Sequence, residues 1–470
     1  MKITKQRYLR GANLYTTHPC LLATIDLQQL QDVSSADLPD FGGALLALMP
    51  TLRKQQRAGG RPGGFVERLH QGAHFADVVK HVTMELQHLV GHQVAFSHVG
   101  EVRAQPGRYN VVCAYVSERT VTAALEMAVE LVHALARRQP YDYEDKLAQL
   151  RRLAQRCAVG TSTGAVVGAA QRRGIPAHRL TEDANLFQLG WGSKQKRLQA
   201  TMTGATSHIA VGLASDKHLT KALLEEAGLP VPQGDTVTTV EEAQRVARRM
   251  RCAVTVKPLD ANQGKGVTTV CNSDEEIAAA FEHARQYSRH IIVERYLKGR
   301  DYRVLVTGGA IAAASCRRPP MVTGDGVSTI RQLVEVENRN PARGEGHTNI
   351  LTKIALDDHA LIAARKHGFD FDSVPPAGME VELRGNANLS TGGTAEDVTD
   401  LLPASTARIC IRAAQTVGLD VAGIDIICDD ISQPLAQQGG GIIEVNAAPG
   451  IRMHQYPSRG TPRDAGDAIV

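Results

Sequence analysis

The chain has 470 residues, 43% of them apolar, 22% charged and 4% aromatic, with 53 basic against 49 acidic side chains and a net charge of +4. These proportions are those of a globular chain with more than one core, and they exclude fibrous and disordered classes. The balanced charge and scarce aromatics argue against a nucleic-acid binder, and no window of 18 uninterrupted apolar residues offers a membrane span.

In chain order, the start MKITKQRYLRG is strand-like and has no apolar signal core. Strands are predicted at Cys20 to Leu27 and Tyr109 to Val116, on either side of a Gly/Arg-rich turn at residues 58–65. Amphipathic patterns predict helices over Phe75 to Val90 and Val121 to Arg137, and Glu144 to Cys157 reads as a connecting helix after the break at Pro140. From Thr161 the texture changes, which divides the chain into domains at 1–157 and 158–470. The second domain opens with helices closed by Gly174 and Pro176 and by Gly228 and Pro230. A strand (252–258), a glycine-rich turn (262–267), a helix near Asp274 to Tyr287, a strand (290–297) and a hairpin (302–317) follow. Residues 326–383 read as a helical insertion, with a glycine-rich loop at Ser390 to Thr394. The end runs helix (Ala404 to Gly418), strand (AGIDIICDD), loose tip (QQGGG), strand (GGIIEVNAAPG). Eight cysteines are scattered singly without a CxxC pair, which fits a reducing cytosol and predicts a cytoplasmic protein.

The last two strands hold the strongest chemical signal. Asp425 lies within an apolar run, and Glu444 and Asn446 are two residues apart on the next, so they share a face. An Asp, a Glu and an Asn make an all-oxygen site of the kind hard Mg²⁺ prefers beside nucleotide phosphates. Lys217 opens a helix, and Lys257 ends a strand just before the NQGKG loop with Gly264 and Gly266. Ammonium groups beside exposed loop N–H groups suit phosphate oxygens. Together these residues predict ATP bound between two subdomains, with a lid over about 222–305.

Read in order, DK, VKP, VERYLKGRD, GIDI and EVN resemble the ATP-grasp ligases over residues 216–446. The resemblance implies that Lys217 and Lys257 contact ATP phosphates, that Glu294 and Leu297 line the adenine hinge, and that Asp301 holds the ribose. It implies Mg²⁺ at Asp425, Glu444 and Asn446, and carboxylate phosphorylation followed by attack of an amine. Arg303 is the candidate cation for charge developing in that transition state. D-Alanine–D-alanine ligases carry an arginine directly before the Ile-Asp pair, where this chain has Gly423. Finer motifs, LRGANLY, WGSKQKRLQATMT, GHTNILTKI, VPPAG, NANLSTGGTA and EVNAAPGIRMH, are similar to the cyanophycin synthetase family. The fold class this implies is α/β: an α+β N-terminal domain, then an ATP-grasp fold with a lid and a helical insertion. The implied substrates are L-aspartate and the C-terminal carboxylate of cyanophycin, a poly-aspartate chain with arginine on each β-carboxyl. A homo-oligomer, tetramer or dimer, is also implied. Ser162 matches a position that holds the polymer, or is a plain helix N-cap; Asn388 and Ser390 are substrate candidates, or turn residues.

Two departures from that family shape the expectations. There is no GxxxxGK(S/T) phosphate loop, so the residues present are expected to add aspartate, with arginine addition left to a Mur-ligase-like domain. Where some members carry HxxEH, this chain has Asp77, Val78, Val79, Lys80 and His81, with Glu85 beyond. A cation where a general base belongs predicts no zinc peptidase, hence primer dependence, and leaves His81 to packing. The basic residues Arg7, Arg10, Arg53, Lys54, Arg57 and Arg61 are either polymer-holding groups or a solvated face. Rival readings are a glutathione-synthetase-like ligase and a non-catalytic polymer-binding scaffold.

Overall fold

The mostly apolar run of Cys20–Asp26 and the apolar end of Arg108–Ala114 form the two inner strands of the first sheet. With Lys2–Leu9 (β1), Cys20–Asp26 (β2), Ser97–Glu101 (β3) and Arg108–Ala114 (β4), the order is β1-β2-β4-β3, antiparallel throughout. Helices α1 (Phe41–Leu48), α2 (Gly64–Gln71), α3 (Phe75–Leu89), α4 (Glu118–Ala136) and α5 (Tyr143–Cys157) surround one core that includes Ile25, Phe65, Phe75, Leu86 and Leu125. The computed structural model describes residues 1–54, 64–181, 183–260, 265–346 and 349–470, in two units, Met1–Ala158 and Val159–Val470. The Gly/Arg-rich turn before Gly64, with Arg57 and Arg61, lies outside the described residues.

In the first unit, the Asp77 carboxylate is fully buried and meets Lys80 at 2.7 Å and Arg68 at 3.1 Å. Lys80 therefore spends its charge on Asp77. Arg10 is engaged by Glu118 through two hydrogen bonds of 2.7 and 3.1 Å, so it belongs to an ion pair. His81 stacks on Phe65 at 4.2 Å between ring centroids. Burial, helped by Lys80, pushes its pKa down to about 4. A histidine held neutral in the fold gives stability that is fully present above its unfolded value near 6.5 and is lost as pH falls toward 4. Chemical denaturation of the full chain is expected to show His81→Phe removing about 2 kcal/mol of the stability loss between pH 7 and pH 5. An unchanged pH dependence would contradict this.

The second unit begins with α6 (Thr161–Arg172), a small antiparallel sheet of β5 (Ala177–Thr181), β6 (Leu186–Leu189), β7 (Lys196–Gln199) and β8 (Met202–Thr203), and helices α7 (His208–Ser215) and α8 (Lys217–Glu226). Asp216 caps α8 by accepting from Leu219 N at 3.0 Å, which seats Lys217 in the first helical position. Next come β9 (Gly234–Val237), α9 (Val240–Met250), β10 (Val254–Pro258), β11 (Thr268–Cys271), α10 (Asp274–Arg285) and β12 (Ile291–Arg295), with sheet order β11-β10-β12-β9. Thr239 with Glu242 and Ser273 with Glu276 form capping boxes at the starts of α9 and α10.

A five-stranded antiparallel sheet is the centre of this unit. It contains β13 (Arg300–Thr307), β14 (Ala310–Arg318), β19 (Thr394–Asp397), β20 (Val421–Cys428) and β21 (Gly441–Asn446), ordered β19-β14-β13-β20-β21. Between β14 and β19 lies the insertion: β15 (Met321–Thr323), α11 (Ile330–Asn338), β16 (Arg343–Gly344), β17 (Leu351–Thr352), α12 (Asp358–Lys366) and β18 (Glu380–Glu382). The insertion is therefore not purely helical. The pairs β15–β18 and β16–β17 brace it, and Val322 and Val381 join Ile330, Val334 and Ala364 in its own small core. The helix α13 (Ala404–Val417) precedes β20; short helices α14 (Leu435–Gln438), α15 (Arg452–Gln455) and α16 (Ala465–Ile469) complete the unit.

Period-2 alternation gives the central sheet two unlike faces. Val304, Ala314, Ile424, Ile426, Ile442 and Val445 pack with Leu224 of α8 and Cys410, Ala413 and Val417 of α13. The opposite face carries Asp301, Arg303, Ser315, Arg317, Asp425 and Glu444. Cross-strand partners Asp301↔Arg317, Arg303↔Ser315, Arg303↔Asp425 and Asp425↔Glu444 put them side by side.

Candidate active site

The polar face of the sheet opens on a cleft of about 650 Å³. Ser162, Lys217, Asp301, Arg303, Asn388, Ser390, Asp425, Glu444 and Asn446 line it, so residues spread over nearly 300 positions meet in one place. A second, much narrower cavity shares Lys217, Ile443 and Glu444 with the first. Its walls are apolar, with Ala214, Leu224, Val231, Ile292, Ile442 and Val445, while Lys217, Lys221, Lys257, Glu294 and Glu444 supply its charges. An apolar slot ending in ammonium groups is matched to a flat heterocycle carrying phosphates.

In the smaller cavity, Glu294 is 4% exposed and pairs with Lys257 at 2.5 Å and Lys221 at 3.1 Å. One carboxylate between two ammonium groups leaves a surplus positive charge in a half-closed slot. Glu294, expected at the adenine hinge, lines this slot and carries the two lysines. Lys221 is a residue the sequence reading missed, although it stands one turn beyond Lys217 on α8 and its i,i+4 spacing was a usable signal.

In the larger cavity, burial by itself would push Asp425 up, yet Arg303 and Arg317 hold its carboxyl below the ordinary value. Arg303 bonds both carboxylate oxygens, and Arg317 reaches one of them at 3.1 Å. Arg317 also bonds Asp301 at 2.5 and 2.8 Å. Burial pushes the Asp301 carboxyl above its ordinary value against the pull of Arg317. Two arginines and two aspartates thus form one buried, nearly neutral group, and Arg317 is the member that sequence reasoning missed. Gly423 explains the room for it. A Cβ there would meet Arg303 Nη1 at 3.0 Å and Pro449 Cβ at 2.8 Å, so Arg303 fills from β13 the space that a side chain at 423 would need.

Glu444 faces Lys217 at 3.8 Å, and the Asn446 amide nitrogen donates to Gly423 O at 3.3 Å, which leaves the amide oxygen out of that bond. Two carboxylates and an amide oxygen on paired strands are a donor set suited to a hard divalent cation, and the chemistry of these residues fits magnesium. Ser162 Oγ accepts from Ile451 N at 3.0 Å while lining the cavity. The hydroxyl ties α6 to the segment after Pro449 and is not the N-cap of α6, which is Gly160. Asn388 accepts from Ser390 N at 3.1 Å and turns its loop toward the cavity.

Leu297 and Gly266 line neither cavity. The Leu297 side chain lies against Gly441, and Gly266 takes φ +70° in a turn where a Cβ would strike the Tyr287 ring at 2.6 Å. Gly264 lies outside the described residues.

Comparison with known proteins follows the same division. The Cyanophycin synthase-like N-terminal domain family matches residues 22–137, the ATP binding domain of the carbamoyl-phosphate synthase L chain matches 216–306, and the RimK-like ATP-grasp domain matches 377–460. The whole chain is 41% identical over 476 residues to a cyanophycin synthetase of Trichormus variabilis and 40% identical over 478 residues to one of Synechocystis, covering 53% and 54% of them. The chain spans about half the length of the curated relatives it matches. A bifunctional glutathione biosynthesis protein of Clostridium perfringens is 32% identical over 66% of the chain and 40% of its own length. Among solved structures, a bifunctional glutathione synthetase from Pasteurella multocida shares 29% identity with a TM-score of 0.54, over 74% of this chain and 50% of that one.

Proposed function

We propose, from the premise that this chain joins a cyanophycin synthase-like N-terminal domain to the ATP-grasp domain of a ligase, that it adds aspartate to the backbone end of cyanophycin. The observation that supports this best is the pair of cavities meeting at Lys217 and Glu444: one slot with apolar walls and ammonium groups, one larger cleft lined by hydroxyl, amide and guanidinium groups. ATP occupies the smaller cavity, with its phosphates toward Lys257, Lys221 and Lys217 and residues 222–305 as the lid. The C-terminal carboxylate of the polymer attacks the γ-phosphorus and ADP leaves. The amino group of aspartate then attacks the acyl carbon, phosphate leaves, and the nitrogen gives up a proton. Arg303 and Arg317 are the fixed cations nearest the charge that develops in both steps; being held by Asp301 and Asp425, they need no reorganisation during reaction. Asp425, Glu444 and Asn446 would hold magnesium, which when bound neutralises nucleotide phosphate charge. Ser162, Asn388 and Ser390 are the substrate-contacting groups of the larger cleft.

The Lys80–Asp77 pair in α3 supports the primer dependence expected from the altered HxxEH positions. Arginine addition is not assigned to these 470 residues. ADP release from Mg-ATP is expected to require both aspartate and a short β-Asp-Arg primer with a free α-carboxylate. Release supported instead by γ-glutamylcysteine and glycine would favour the glutathione-synthetase-like reading. Nucleotide binding without release on any substrate would favour the scaffold.

A further inference from the structure

The charges in the larger cavity do not all have partners of opposite sign. Arg303 and Arg317 are matched by Asp425 and Asp301, and Lys217 faces Glu444. Arg452, in the NAAPGIRMH segment, is different. It is 7% exposed and lines the cavity, yet its partners are neutral: Asn349 O at 3.0 Å and Thr352 Oγ1 at 3.4 Å. Among the described residues no carboxylate pairs with it, and burial alone pulls its pKa below the ordinary arginine value. A buried guanidinium without an anion is costly, and it presents a planar fork that matches a carboxylate.

Its surroundings differ from those of the paired arginines. β17, whose Thr352 Oγ1 bonds Arg452, packs beside the loop at Leu389–Thr391, and Ser162 bonds the residue just before Arg452. Arg452 thus belongs to the wall built by α6, the insertion and the 388–390 loop. The Arg303–Arg317–Asp425 group belongs to the sheet wall, beside Glu444. A cation with no anion of its own is open to a substrate carboxylate, unlike the sheet-wall arginines, which are already paired, and the incoming amino acid brings such a group.

We propose that Arg452 is a carboxylate subsite that binds and orients the incoming amino acid. This rests on the aspartate-ligase reading above and adds to it the residue that recognises the acceptor. The two carboxylates of aspartate offer two ways to meet the fork, and the amide analogues separate them: asparagine lacks the β-carboxylate, isoasparagine the α.

The test uses the full chain with Mg-ATP and a β-Asp-Arg primer. ADP release gives the KM for aspartate and the inhibition constants of asparagine and isoasparagine, for wild type, R452Q and R452K. R452Q is expected to raise the aspartate KM about 10- to 100-fold, the loss of one charged hydrogen-bonded contact. It should leave the KM for ATP, and the inhibition constant of one of the two amides, within about twofold of wild type on the same reasoning. R452K, which keeps the charge but not the fork, should show the same pattern with a smaller rise, and it serves in place of R452Q if that variant does not fold. An unchanged aspartate KM overturns the proposal. So does an equal rise for aspartate and both amides, which would mean a loosened wall and not a lost contact. Failure of the wild type to release ADP with primer and aspartate overturns the ligase reading and this proposal together, whereas normal release with an insensitive Arg452 overturns this proposal alone.

Discussion

Replacing Asp425 by asparagine is expected to destabilise the second unit by about 3–5 kcal/mol, the range for removing one partner of a buried ion pair. The carboxylate is 3% exposed and is the shared counter-charge of Arg303 and Arg317. Its amide would leave those guanidinium groups facing each other, with Asp301 as the remaining anion beside Arg317. For a unit of this size the apparent Tm should fall by roughly 6–15 °C. Turnover should vanish with it, because the same change removes a candidate magnesium ligand and frees the two cations from their fixed positions. A differential scan in which D425N melts like wild type would show that the arginines do not depend on Asp425.

Glu444→Gln separates chemistry from stability at the neighbouring strand position. Glu444 is about a third exposed and meets Lys217 at 3.8 Å, a pair of the kind that contributes little to folding. The Tm of E444Q should therefore stay within about 2 °C of wild type. Its kcat for Mg-ATP-dependent ADP release should fall by about a thousandfold or more, since a neutral amide no longer offers a divalent cation its charge. Titrating Mg²⁺ gives a second readout: any residual activity should need much more of the ion. Near-wild-type kcat at ordinary Mg²⁺ would remove Glu444 from the metal site. The two adjacent carboxylates thus share a loss of turnover and differ in stability, because one is surrounded by arginines and the other looks into the shared wall of both cavities.

What the sequence made legible, and what it hid, follows from how each residue signals. Asp425 and Glu444 stand out because a charged residue inside an aliphatic strand must have a reason to be there, and alternation puts it on one face. Lys217 and Lys257 stand out because an N-cap and a strand end fix where their side chains begin. The small sheet β5–β8 left little trace, since Lys196–Gln199 is exposed at three of its four positions and shows no alternation to read. The helix α9 was overlooked despite a complete capping box in TVEE. The strands of the insertion are two or three residues long, too short for a period to show. Leu297 rests on the motif and Gly266 on its glycine-rich loop; the Leu297 side chain lies by Gly441, and Gly266 sits in a turn against Tyr287.

Arg317 was hidden for a more specific reason. Counting back from the Gly308–Gly309 turn, a regular hairpin would set Asp301 opposite Cys316. The register slips between Leu305 and Val306, leaving Ala312 without a partner, and from there to the strand end each residue of β14 is displaced by one. A one-residue displacement exchanges the two faces of a strand. An alanine that touches neither cavity thereby decides that Arg317 and Ser315, and not Cys316 and Ala314, look toward Asp425. For an evolving lineage this makes the length of the hairpin a stricter constraint than its composition. Losing the extra residue would leave a regular hairpin with Arg317 still opposite Asp301, whereas a residue added between Ala313 and Cys316 with the pairing kept would carry the arginine to the apolar side. A sequence alignment that gapped this hairpin freely would match arginines that occupy opposite faces of the same sheet.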